Sequence, residues 1–459
     1  MSPTTPLLRK LKQQLPAGVV QVDPALLSRY RGDKWYAEHL PDIVCLPRTA
    51  ADTSKILRLA HAHNTPVTPR GAGYGYVGGC VPIRGGIVLS LERMNRIKEI
   101  NPDDFVAVVQ PAVITKTLQE RVEKLARFYP PDPASRADCS IGGNIATNAG
   151  GPRCLKYGVT RDYVLGLEIV LADGAIVRLG SRTHKNKSGF DLGRLFVGSE
   201  GMLGIVTEAT LKLLPLPPSR SALAIGFASM ADATAAIKRI FAAGILPCAL
   251  ELADQFTLAA ARKRTGSERL AGCQAHIIVE IDGHEASLHT ELDTLAAAIA
   301  AGPHLRIERA VGAAACEELW QLRREFSFSL RDTGLTKLNE DIVVPRSKLD
   351  DLFKFTSTLE KKHGFAVACF GHAGDGNIHV NIMLDMDQPG ARAKSEKALD
   401  ALFKKIISLG GVITGEHGIG LAKKKWWPQS VGPAALRLHH LVKDALDPKH
   451  ILNPGKFLG

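Results

Sequence analysis

Pro130-Pro-Asp-Pro-Ala-Ser-Arg-Ala-Asp-Cys-Ser-Ile-Gly-Gly-Asn-Ile-Ala-Thr-Asn-Ala-Gly-Gly151 strings prolines, small hydroxyls, two asparagines and four glycines through twenty-two residues. Rigid prolines fix the path of such a backbone, while Ser, Thr and Asn offer hydrogen bonds to a polar ligand without adding charge. The tract reads as a ligand wrapper, and two shorter glycine tracts frame it. Upstream, a short strand at 66–68 leads into Pro69-Arg-Gly-Ala-Gly-Tyr-Gly-Tyr-Val-Gly-Gly79. Its small residues let backbone N–H groups converge on a pyrophosphate with no Cβ in the way. Downstream, Gly198-Ser-Glu-Gly201-Met-Leu-Gly204-Ile-Val206 follows residues 195–197, which read as an apolar strand. The Rossmann pattern G-x-G-x-x-G would need glycine at 76, where Tyr76 stands, so nicotinamide binding by that motif is disfavoured.

The 459 residues, 45% of them hydrophobic, suffice for a large core and for two or three domains. Helical patterns at 50–63 and 114–125 alternate with strand patterns at 87–91, 105–110, 165–171 and 175–179, an α+β or α/β arrangement. Pro215, Pro217 and Pro218 cannot sit inside a helix or a central strand and mark a boundary. A second domain starts near Ser221, with helices expected at 231–243, 288–301 and 316–331 and strands at 277–281 and 365–369. The final fifty residues return to glycine-loop and helix character.

No window approaches the roughly 20 apolar residues of a membrane span, and residues 1–16, with no continuous apolar stretch, read as neither a secretory signal nor a transit peptide. A cytoplasmic protein is expected, with peripheral contact at the inner membrane face as the variant. The eight cysteines are scattered singly, without the C-x-x-C spacing that holds zinc or an iron–sulfur cluster, so electrons leaving this protein must pass to another molecule. A net charge of +12 favours an anionic substrate, an acidic partner or a negative membrane surface. Nucleic acid is disfavoured, because Lys and Arg are spread along the chain and no helix-turn-helix, finger or aromatic RNA-binding signature is present.

The second half carries Gly371-His372-Ala-Gly-Asp375-Gly-Asn377-Ile-His379-Val-Asn381 and, later, Gly415-Glu416-His417-Gly418. Two imidazoles and a carboxylate suit a borderline metal. A strand starting near Asn377 would put His379 and Asn381 on one face, and the glycines before it would let His372 fold back toward His379. Three ligands leave positions open for a substrate oxygen, the pattern of a catalytic site.

Together these tracts resemble the FAD-linked oxidases of the vanillyl-alcohol-oxidase (PCMH-type) family over nearly the whole chain. The resemblance implies an α+β fold. A PCMH-type FAD-binding domain of two subdomains (39–218) would follow an N-terminal helical segment (1–38). A substrate or cap domain with an antiparallel sheet flanked by helices (219–410) would come next, and a C-terminal segment (411–459) would return to the FAD site. It assigns Pro69, Arg70, Gly71, Ala72, Gly73, Tyr74 and Gly75 to the pyrophosphate. Pro131, Asp132, Ser135, Cys139, Ser140, Ile141, Gly142, Gly143, Asn144, Ala146, Thr147, Asn148, Gly150, Gly151, Tyr157 and Gly158 would run along the flavin and its phosphates. Glu200, Gly201, Gly204, Ile205 and Val206 would meet the adenine side and ring edge, and Asn453 would reach the flavin. Tyr74 stands where the family has a small hydroxyl, and Tyr76-Val77 where it has Leu-Ser. No histidine occupies the loop positions that some relatives use for covalent attachment, so non-covalent FAD is expected.

The segments around His372 and Glu416 resemble the D-2-hydroxyacid dehydrogenase branch, which includes D-lactate and D-2-hydroxyglutarate dehydrogenases and the flavin subunit of glycolate oxidase. Carried over, His372, His379 and Glu416 would bind a divalent metal, Zn²⁺ first and Mn or Fe as alternatives. His417 would be the base, and Asn381 would contact substrate. Leu319-Trp-Gln-Leu-Arg323-Arg-Glu-Phe-Ser327 resembles the segment whose arginine holds the substrate carboxylate; spacing assigns this to Arg323, with Ser327 and Lys337 nearby and Arg324 as rival. The implied enzyme oxidises a small anionic D-2-hydroxy acid of the D-lactate or glycolate class and passes electrons to a quinone, cytochrome, electron-transfer flavoprotein or iron–sulfur subunit, as a monomer or homodimer. The alternatives are a catalytically silent FAD-binding subunit of a larger oxidase complex and an oxidase of another alcohol on the same fold.

Overall fold

Along Ile205–Lys212 buried and half-buried residues alternate, the period of a sheet with one face on a core. In the computed structural model, which describes residues 4–458, this is the central strand of a five-stranded antiparallel sheet. The sheet runs in the order Ile97–Asn101, Val106–Val109, Ile205–Lys212, Val164–Val170, Ile176–Gly180. The same unit holds a four-stranded sheet in the order Val20–Gln21, Ile43–Cys45, Ile87–Ser90, Val67–Arg70, parallel except at its first pair. Helix Ala50–Ala62, capped by Thr49 accepting from the Asp52 N–H, buries Ile56, Leu57 and Ala60 in a core shared with Ile43, Val67, Ile87 and Ile205. The first helix, Thr4–Gln14, adds Leu7 and Leu11 to that core. Residues 1–151, 158–216 and 416–459 make up this unit.

Residues 152–157 and 217–415 make up the other. Its seven-stranded sheet is antiparallel throughout, ordered Arg306–Val311, Ser219–Phe227, Ala275–Gly283, Ala249–Asp254, Ala366–His372, Asn377–Leu384, Thr336–Val343. Helices Gln255–Thr265 and Ala313–Arg331 lie on one face, through Leu258, Ala261, Leu319, Phe326 and Leu330 against Ala224, Ile278, Ala253, Ala368 and Phe370. Helices Met230–Ala242, Glu285–Ala300, Leu349–His363 and Ala391–Ser408 pack on the other.

The expected helices and strands recur within a few residues, with one exception. Residues 195–197 are no strand: Gly193–Phe196 is a single helical turn and Val197 follows it in extended conformation. Helical spacing turns Phe196 inward, at 4% exposure, and Leu195 outward, at 38%. Three apolar residues in a row do not distinguish the two periods. Among the described residues no helix is long and apolar enough to cross a membrane.

Candidate active site

The register of the seven-stranded sheet decides which polar side chains share a face. His372 pairs with Glu251 on one neighbour and Asn377 on the other, Phe370 with His379, and Ala368 with Asn381. On the far strand Asn339 pairs with Asn381 and Asp341 with His379. Residues opposite one another in an antiparallel pair point the same way. Glu251, His372, His379, Asn381 and Asp341 therefore project from one face, the face covered by helix Ala313–Arg331.

That helix supplies the cation. Arg323 Nε donates to Glu251 Oε2 at 2.6 Å, and its guanidinium lies 4.8 Å over the Phe370 ring. Arg324, its rival in sequence, points outward and is paired with Glu317. Glu251 Oε1 accepts from His372 Nδ1 at 2.6 Å. Burial raises the Glu251 carboxyl, but His372 and Arg323 overcome it and hold the group down at about 2. A carboxylate against Nδ1 fixes the orientation of the His372 ring, as it does for imidazoles that ligate metals through the other nitrogen. The His372 and His379 rings stand edge to face at 5.8 Å, and a nitrogen of each lies within 4.8 Å of the other. Glu416 follows Gly415, which is held by its N–H to Asp341 Oδ2 at 2.9 Å.

Ser327 accepts from Lys337 Nζ at 2.9 Å, and burial, with Arg331 nearby, lowers the Lys337 ammonium to about 8. Asn381 is fully buried; its Nδ2 donates to the Ala368 and His379 carbonyls, and only Oδ1, which has no partner, remains to offer a ligand. Glu251, Asp341 and Phe370 were not anticipated from sequence. The available signal was a charged residue inside the apolar run Ala249–Asp254.

In the other unit the glycine tracts meet. Short helix Ile141–Thr147 begins at Ser140, whose Oγ accepts from Gly143 N at 3.3 Å and would obstruct a Cβ at Gly71 at 2.7 Å. The two tracts thus approach at a distance only glycine permits. Several of the polar side chains expected at a cofactor also make hydrogen bonds within the protein. Asn144 Nδ2 donates to Thr115 Oγ1 at 2.7 Å, Asn148 Oδ1 accepts from Arg161 N at 2.9 Å, and Thr147 Oγ1 donates to Gly143 O. Arg70 likewise turns its guanidinium to the Gly32 carbonyl and to Cys80 Sγ. What these side chains leave on the tract for any ligand is backbone, at glycines that permit close approach. Tyr157 lies in the second unit, its hydroxyl donating to Asp282 Oδ2 at 2.8 Å.

Asn453 Nδ2 bridges the carbonyls of Gly79 (3.0 Å) and Glu200 (2.7 Å), and its buried Oδ1 has no partner. An orphaned buried acceptor at the meeting point of two glycine tracts is what a polar ring edge would satisfy. The Glu200 carboxylate accepts from the N–H groups of Ile419 and Gly420. Burial raises it to about 7 against those two bonds and the nearby Lys456 and Lys423 charges. The His417 ring lies 5.3 Å from that of Tyr76.

Residues 41–180 match the family model "FAD binding domain", and residues 216–457 match "FAD linked oxidases, C-terminal domain". The chain is 39% identical over 419 residues to the glycolate oxidase subunit GlcD of Bacillus subtilis, covering 91% of this chain and 89% of that one. It is 34% identical over 465 residues to a D-lactate dehydrogenase of Anaerostipes hadrus, covering 99% and 97%. Among solved structures, 4-ethylphenol oxidase of Gulosibacter chungangensis superposes with TM-score 0.81 at 22% identity over 99% of this chain and 97% of that one. p-Cresol methylhydroxylase gives 0.81 at 18% identity over 100% and 97%. These two show the fold: α+β and PCMH-type, as the glycine tracts led us to expect.

Proposed function

The chain belongs to the FAD-linked oxidases, as an FAD-dependent oxidoreductase related to D-lactate dehydrogenases and glycolate oxidase subunits, and from that premise we propose that it oxidises a small D-2-hydroxy acid to the 2-oxo acid with the help of a divalent cation. The observation that carries this reading is the run Arg323–Glu251–His372 with His379 beside it on one sheet face. An oxidase of simple alcohols has no use for a buried arginine next to paired imidazoles.

Arg323 takes the substrate carboxylate. Glu251 holds its Nε edge, which fixes the guanidinium plane and leaves the two terminal amines for a bidentate pair. Lys337, its ammonium already destabilised by burial, gains from a second anionic contact there. His372 and His379, with Glu416 as the resemblance implies, would hold a divalent cation, and its Lewis acidity would favour loss of the substrate hydroxyl proton. The His417 imidazole removes the hydroxyl proton. The flavin supplies a two-electron acceptor for the hydride on C2, non-covalently bound in the tracts at 69–75, 131–151 and 200–206. The reduced cofactor would need an external electron acceptor, since the eight cysteines are scattered singly and offer no cluster spacing.

The test is anaerobic. Purified protein carrying FAD is mixed with D-lactate, L-lactate and glycolate, and the flavin band near 450 nm (roughly, a property of the cofactor) is followed before and after EDTA treatment. D-lactate or glycolate should bleach the band, and EDTA should abolish bleaching while leaving the flavin spectrum. Bleaching that survives complete cation removal would make the two histidines structural. A flavin that no 2-hydroxy acid reduces would point to a silent subunit.

A further inference from the structure

Inside its own unit, the loop carrying His417 rests on a buried side chain. Glu200 is 7% exposed, and its Oε1 and Oε2 accept the N–H groups of Ile419 at 2.7 Å and Gly420 at 2.9 Å. Its main chain is engaged as well: its N–H donates to Ala146 O at 2.8 Å, and its carbonyl accepts from Asn453 Nδ2. Glu200 adopts φ +49°, a left-handed conformation that residues bearing a Cβ adopt only when their surroundings impose it. One residue therefore joins helix Ile141–Thr147, the C-terminal asparagine and the peptide that follows the base.

The opposite side of that peptide rests on the first glycine loop. Leu421 and Ala422 N–H groups both donate to Val77 O, and the neighbouring Tyr76 ring faces His417. Gly418 has φ +88°, and a Cβ there would come within 2.8 Å of Glu200 Oε1, so the loop passes directly over the carboxylate. A buried carboxylate with two consecutive amides on it makes charge-assisted bonds, the strong kind. Both oxygens are engaged by the loop, which gives the carboxylate a task other than cofactor contact.

We propose that Glu200 is a positioning residue for His417: it fixes the 418–420 backbone and thereby aims the imidazole, without touching substrate. The proposal rests on the reading of His417 as base. It explains why a glutamate occupies a glycine-like conformation in the middle of Gly198–Gly204, where a small residue would be easier to place.

Glu200→Gln preserves size but turns an NH₂ toward one of the two amide donors. Hydrogen exchange followed by mass spectrometry should show peptides spanning 417–422 exchanging roughly tenfold faster, with peptides spanning 131–151 unchanged. Anaerobic flavin reduction by D-lactate, with glycolate as second probe, should slow roughly tenfold at saturation, while the half-saturating concentration moves less than about twofold. Flavin content should equal the wild type. Glu200→Asp, which keeps two acceptor oxygens on a shorter stem, should recover part of the lost rate. Unchanged exchange at 417–422, or an unchanged rate in Glu200→Gln where His417→Ala is slow, overturns the proposal and leaves the base standing. A wild-type rate in His417→Ala, or a wild-type flavin that neither acid reduces, removes the base reading and the proposal with it. A Glu200→Gln protein that emerges without flavin assigns Glu200 to the cofactor instead, and a slower Glu200→Asp than Glu200→Gln also counts against positioning.

Discussion

Glu251 is 1% exposed and connects two functional groups that the sequence keeps far apart, Arg323 and His372. A buried carboxylate between a guanidinium and an imidazole loses both pairings when its charge is removed, which is far costlier than never having built the set. Glu251→Gln should weaken Zn²⁺ or Co²⁺ binding roughly 10- to 100-fold, as loss of the group behind a ligating imidazole does elsewhere. Calorimetric titration of the cation-free, FAD-loaded protein measures this; affinity equal to wild type would place the cation away from His372. At this scale the residue types were legible and their roles only partly so. His372 and His379 stood out because imidazoles among glycines are chemically conspicuous, and Arg323 through the resemblance of its helical segment. Glu251 did not, since its one local signal, a charge inside an apolar strand, does not say which distant groups it pairs with. The choice between Arg323 and Arg324 needed the direction of helix Ala313–Arg331 against the sheet.

Helix Gln255–Thr265 begins at Asp254, whose Oδ1 accepts from Thr257 N at 2.9 Å while Oδ2 accepts from Cys369 N at 2.6 Å, so one cap also ties the helix to strand Ala366–His372. Burial pushes this carboxyl from the usual range up to about 7, opposed by those hydrogen bonds. Between the ordinary carboxylate pKa and about 7 the folded chain keeps a proton that the unfolded chain has released. The associated stability is full near pH 4 and is lost as pH rises through about 7. Asn remains a good N-cap, so Asp254→Asn should flatten this slope. Wild type should lose on the order of 1 kcal/mol relative to the variant between pH 5 and pH 8, read from denaturant midpoints. Parallel slopes would show that Asp254 is ionised throughout. Elements with a clear period or cap were readable from sequence, as at Ala50–Ala62 and Asn377–Leu384. Residues 195–197 were misread because a helical turn that short leaves no period to detect.

Across the molecule the net charge of +12 attracts anions over the distance that salt permits. Raising ionic strength from about 10 mM to 150 mM shortens that distance from about 30 Å to about 8 Å. The second-order rate of flavin reduction by D-lactate should fall severalfold by stopped flow while the saturated rate holds; a flat salt profile would mean that the excess charge lies away from the substrate's approach. The path of the chain belongs to this scale too. It leaves the FAD-binding unit after Gly151, re-enters at Gly158, leaves again after Leu216 and returns at Glu416. The six-residue excursion is anchored in the second unit by Lys156 and Tyr157 on Asp282, and no composition shift announces it. By itself the sequence determined the glycine tracts, the strand that puts His379 and Asn381 on one face and the helix that carries Arg323 and Arg324, because positive φ, period two and period 3.6 are local demands written in adjacent residues. Only the tertiary structure decided that Glu251 backs His372, that Arg323 rather than Arg324 faces the sheet, and that Glu200 holds the loop after His417, because each depends on strand register or on contacts between residues tens to hundreds of positions apart.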